Sequence, residues 1–145
     1  MTLKGIICTA TGILGATLSG LFGGWDAALT TLVIFMVIDY ITGLVLAGVF
    51  HQSKKSVSGG LNSTIGWKGI CKKGVTLAIV LIASRLDIII GTTYIRDAVV
   101  IAFCANELIS VVENAGLMGI PMPGVISKAI DILKSRDDEY ENYGD

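Results

Sequence analysis

Charge is scarce in this chain of 145 residues: 16% are Asp, Glu, Lys or Arg, where soluble domains carry about 25%. Set against 52% hydrophobic residues and a mean hydropathy of +0.73, that scarcity excludes a disordered chain or a coiled coil. Histidine occurs once, at position 51, and proline twice. The three cysteines, Cys8, Cys71 and Cys104, lie far apart with no CxxC or CxxH spacing. A disulfide framework and a metal site are therefore not expected, and the cysteines read as small apolar fillers. No glycine-rich phosphate loop and no nucleophile–base set is present, so no catalytic, cofactor-binding or metal residue is assigned and no enzyme is expected. The lysines form no recognisable nucleic-acid module.

What the chain does have is long apolar runs. Gly5 to Trp25 is 21 residues without a formal charge, about 30 Å of helix and enough to cross a hydrocarbon core. Lys4 precedes it as in a signal peptide, but the Ala-x-Ala cleavage pattern is missing, so it reads as a retained span. Gly23-Gly24-Trp25-Asp26 marks a turn with an interfacial aromatic and a helix N-cap. Ala27 to Phe50 is a second apolar run whose one charge is Asp39, Gly74 to Gly91 a third, and Ala98 to Ile120 a fourth, less apolar one that ends at Pro121-Met122-Pro123. The third run is rich in β-branched residues but shows no period-2 alternation, which favours helix. Arg85 and Asp87, near its end, are expected to snorkel to the outer interface. Ile126, Ala129, Ile130 and Leu133 follow at i, i+3, i+4, i+7, the signature of a short amphipathic helix.

The expectation is an all-α integral membrane helical bundle with four transmembrane helices, at about 5–24, 27–50, 74–91 and 98–120. A C-terminal amphipathic helix at about 124–136 completes a single membrane domain over 1–136. Three spans result if 98–120 lies in the interface. The last nine residues hold Asp137, Asp138, Glu139, Glu141 and Asp145 and no base, an acidic tail expected to be disordered. The segment 51–73 is the reverse, with Lys54, Lys55, Lys68, Lys72 and Lys73 and no acid. It reads as a basic loop that fixes topology and touches anionic phospholipid. With four spans and both termini in the cytoplasm, nine of the eleven bases fall inside and only Arg85 and Arg96 outside, as the positive-inside rule requires.

Two sets of residues are candidates for function. In the first span Cys8, Gly12, Ala16, Gly20 and Gly24 recur every fourth residue, and Thr11, Gly15, Ser19 and Gly23 run beside them. Such flat faces let helices approach closely, as an oligomerisation surface or by packing on the second span. The other set is polar: Asp39, which shares a row with Gly43 and Ala47, and Asn106, Glu107, Glu113 and Asn114 in the fourth run. Polar groups inside a membrane pair with one another, protonate or face water, so these five are candidates for a lumen or for structural hydrogen bonds.

The second and fourth runs also carry a resemblance. Asp39-Tyr40-Ile41-Thr42-Gly43 with Ser53-Lys54-Lys55-Ser56 forms one block. Asn106-Glu107-Leu108-Ile109-Ser110-Val111-Val112-Glu113-Asn114-Ala115-Gly116 with Gly119-Ile120-Pro121-Met122-Pro123 forms the other. Together they resemble the phage-lysis and clostridial toxin-secretion holins, from about Ile34 to Leu133. The resemblance implies a small protein of the bacterial cytoplasmic membrane that self-associates into homo-oligomers. It would open a large lesion through which an endolysin, or a toxin without a signal sequence, leaves as cargo. No cofactor is implied. Rival readings are a narrow ion channel, a small transporter, or an antiholin that makes no pore.

Overall fold

The structure is a computed structural model that describes residues 2–142, and among them it is all-helical. Five helices follow in order: α1 (Leu3–Leu21), α2 (Ala27–Gly48), α3 (Ser63–Ile90), α4 (Tyr94–Leu117) and α5 (Gly124–Asn142). Helix α4 occupies the centre, packed along α2, α3 and α5, while α2 and α3 touch each other less. Asp26 and Arg96 meet at the starts of α2 and α4, and Asp39 and Asn114 meet farther along the same two helices. These two therefore run parallel, and α3 runs antiparallel to both. Leu29, Leu32, Met36, Val80, Val100 and Cys104 form the apolar core, flanked by Phe22, Phe35, Leu77 and Phe103.

Local chemistry sets the helix ends. The Asp26 side chain accepts from the Leu29 amide at 2.9 Å and caps α2. Asn62 accepts from the Thr64 and Ile65 amides and caps α3. Gly91, at φ 78°, ends α3 in the left-handed conformation that glycine adopts without steric cost.

Several sequence expectations change. The basic segment is not a loop throughout: α3 begins at Ser63, so Lys68, Lys72 and Lys73 are helical and only Lys54 and Lys55 lie on the 49–62 loop. At 28 residues α3 is about 42 Å long. α5 continues past 136 to Asn142, so the tail is helical that far, and residues 143–145 lie outside the described residues. Its inward face is the expected one, with Ile130 buried and Ile126, Ala129 and Leu133 partly so. Two helices, α1 and α2, are long and apolar enough to cross a membrane. Among the described residues the expected count of four spans is therefore not confirmed. Within the bundle of α2, α3 and α4, large apolar residues are exposed on α2 (Ile34, Ile38, Ile41) and α3 (Val75, Ile79, Ile82), whereas α4 exposes only Tyr94 among such side chains. A helix sheathed by other helices has no need of an apolar exterior. α3 carries Lys72 and Lys73 before its apolar segment and Arg85 and Asp87 toward its end.

Helix α1 stands apart. None of its residues is buried, and it touches only α3. It does not pack on α2, so that destination for the small-residue rows is excluded within one copy of the chain.

Candidate functional site

Two polar stations hold the three-helix bundle, one on either side of its apolar core. The first lies in the half nearer the 49–62 loop. Lys73 of α3 donates to Asp39 of α2 at 2.8 Å and to the Glu107 carboxylate of α4. The amide of Asn114 donates to Asp39 at 3.3 Å and to the Thr42 hydroxyl at 3.0 Å. The elements place these groups by periodicity: Glu107 and Asn114 lie seven residues apart on one face of α4, and Asp39 and Thr42 three apart on the face of α2 that meets it. Asp39 and Asn114 are buried, and Lys73 and Glu107 are nearly so.

A cavity of about 150 Å³ adjoins this cluster. Asp39, Tyr40, Lys73, Ser110, Glu113 and Asn114 line it from the helices, and Ser53, Lys54, Lys55 and Ser56 from the loop. The loop is tied down: Gln52 N–H donates to Leu46 O, Ser53 N–H to Gly59 O and the Ser56 hydroxyl to Gly60 O. Gly59, at φ 72°, passes so close to the His51 carbonyl that no side chain fits there.

The second station lies at the opposite end. Asp87, near the end of α3, is buried and accepts from the Thr92 hydroxyl at 2.6 Å and from the Ile95 and Arg96 amides at 3.1 and 2.9 Å. It thereby caps α4, whose own N-cap residue Thr93 makes no side-chain cap bond. The Arg96 guanidinium forks onto Asp26 at 2.8 and 3.1 Å and donates to Gly24 O at 3.2 Å. The Asp26 carboxyl is held below its ordinary value, chiefly by the hydrogen bond from Arg96, against the opposing effect of burial. Arg96 therefore fixes the turn that joins α1 to the bundle. The turn has no spare room: a Cβ on Gly23, at φ 74°, would sit 2.8 Å from Ser84 Oγ.

The expected lumen residues thus divide. Asp39, Glu107 and Asn114 come together, whereas Asn106 and Glu113 are exposed, Glu113 at the cavity wall. Lys73, expected at the lipid surface, is instead the cation of the cluster, because its face of α3 is turned toward α2 and α4. Lys54, Lys55, Lys68 and Lys72 are exposed. Asp87 does not snorkel, because three donors from the next turn and helix hold it inside; Arg85 is exposed. Of the oligomerisation candidates, Gly12, Gly15 and Gly20 have nothing within 4 Å of the point where a side chain would begin, and Ala16 is exposed. Gly24 leaves the row: α1 ends at Leu21, and Gly24 sits in the turn with its carbonyl held by Arg96. Ser19 is spent on the same turn, its Oγ accepting from the Trp25 amide at 3.0 Å.

Residues 16–135 match the family model described as the bacteriophage holin family. An uncharacterised protein of Listeria monocytogenes is 42% identical over 132 residues, 90% of this chain and 89% of that protein. One from Clostridium perfringens is 34% identical over 136 residues, 91% of this chain and 95% of that protein. A probable holin of Bacillus phage phi105 is 28% identical over 112 residues, 77% of each chain. No solved structure matches the chain.

Proposed function

Because the chain belongs to the bacteriophage holin family, we propose that it acts as a holin. Copies accumulate in the bacterial cytoplasmic membrane, self-associate and open a lesion that lets an endolysin or a signal-less toxin out. The observation that carries this reading is α1, a 19-residue apolar helix with no buried residue, whose Gly12, Gly15 and Gly20 face open space in the same copy. In lipid, helices associate by close packing of such faces, since apolar surface alone gives no drive. A second copy is the partner that α1 fits.

On this reading α2, α3 and α4 cross the membrane as one unit, with the apolar faces of α2 and α3 toward lipid and α4 within. Both termini lie in the cytoplasm. Lys54, Lys55, Lys68 and Lys72 then face anionic phospholipid on the cytoplasmic side. Asp39, Glu107 and Asn114, buried against Lys73 in a single copy, become hydrated as the assembly opens.

The test is induced expression in bacteria while membrane potential and leakage of a folded cytoplasmic reporter enzyme are followed together. A holin depolarises the cell and releases the enzyme after a lag. Depolarisation without enzyme release would indicate a narrow channel instead, and cells that stay energised at every expression level would indicate an antiholin.

A further inference from the structure

The Lys73 cluster holds more negative charge than positive. Two carboxylates, Asp39 and Glu107, share the one ammonium of Lys73. The remaining partners, Asn114 and Thr42, are neutral. One negative charge is thus in surplus, among side chains that are at most 18% exposed. Lys54 and Lys55 line the adjoining cavity; Lys55 acts on Asp39 at longer range, yet among the described residues neither forms a contact ion pair with the cluster. A charge withdrawn from water without a counter-charge disfavours the packed state and is relieved when water reaches it. The cavity lined by Asp39 and Lys73 is the route by which water would reach the cluster.

We propose that this surplus charge, which has no second cation in contact, sets how readily α2, α3 and α4 separate and, on the holin reading above, when the lesion opens. Lys73 acts as a positioning residue that ties α3 to α2 through Asp39 and to α4 through Glu107. Glu107 supplies the surplus. Removing a carboxylate and removing the ammonium therefore act in opposite directions. Glu107→Gln leaves one acid facing one base and favours the packed bundle. Lys73→Met leaves two unpaired carboxylates and favours the open one. Were the cluster merely structural, every one of these substitutions would loosen the bundle.

The experiment compares wild type, Glu107→Gln, Lys73→Met and the uncharged triple variant Lys73→Met/Asp39→Asn/Glu107→Gln. Two quantities are read: the time from induction to loss of membrane potential at matched membrane amounts, and the thermal unfolding midpoint of the purified protein in detergent micelles. Glu107→Gln is expected to delay the onset by roughly twofold or more and to raise the midpoint. Lys73→Met is expected to hasten the onset by a similar factor and to lower the midpoint. The triple variant recovers from Lys73→Met in both. A Glu107→Gln protein that unfolds below wild type, or a triple variant no better than Lys73→Met, overturns the proposal. If wild type never depolarises cells, the holin reading fails, and the order of midpoints still decides the charge proposal. If Lys73→Met does not accumulate, Glu107→Gln and the triple variant decide it against wild type.

Discussion

Arg96 grips Asp26 with both terminal nitrogens of its guanidinium, at 2.8 and 3.1 Å, and so joins the start of α4 to the start of α2. This pair fastens the end of the bundle from which α1 departs. It predicts an acid response with a definite sign. Asp26 has its carboxyl held below its ordinary value of 3.8 in the folded chain. Such a group contributes stability above its unfolded value, and the contribution is lost as pH falls through the lower, folded value. The unfolding midpoint in micelles is therefore expected to hold from neutral pH down to about 5 and to fall below about 4. Asp26→Asn keeps the helix cap, since asparagine caps well, and removes this part of the fall. Because the Asp26 side chain is half exposed, the effect is small and shrinks with added salt. An identical acid profile in Asp26→Asn would show that the pair contributes nothing.

Asp87→Ala tests the cap that α3 supplies to α4. It strands the Ile95 and Arg96 amides and the Thr92 hydroxyl, all of which now donate to one carboxylate. The expected cost is about 2 kcal/mol, read from chemical unfolding in micelles. Hydrogen exchange at the Ile95 and Arg96 amides rises with it, while exchange at Thr64 and Ile65, capped by Asn62, stays as it was. Unchanged exchange at residues 95 and 96 would mean that the two amides find other acceptors.

Gly12→Leu/Ala16→Leu/Gly20→Leu separates folding from assembly. The two glycines have open space where a side chain would begin, and Ala16 is exposed. The triple variant is expected to unfold at the wild-type midpoint and yet to lose the ladder of crosslinked oligomers in membranes. An intact ladder would move the subunit contact to another face.

Much of this architecture is legible in the sequence because charge is so sparse. Asp39, Glu107 and Asn114 stand out against apolar neighbours, and helical spacing already places Glu107 and Asn114 on one face. The amphipathic face of α5 is equally plain. Lys73 is not, because it ends a run of five lysines that reads as one solvated loop. The signal is available in two places: Asn62-Ser63-Thr64 is an N-cap sequence, and two acids amid apolar helical runs call for a buried cation. Asp87 is hidden for a different reason. Its donors come from beyond the turn, at Thr92, Ile95 and Arg96, and only the chain reversal brings them within reach. The isolation of α1 from α2 is illegible too, since two apolar runs joined by a short turn ordinarily pack side by side.

That isolation has a consequence for how the chain can diverge. α1 contributes no buried side chain to the core, so changes in its sequence are not screened by whether the remainder folds. The family match begins only at residue 16 and leaves most of α1 outside. If α1 is the contact between copies, as proposed above, a change on its small-residue face would alter assembly and leave the packed core intact.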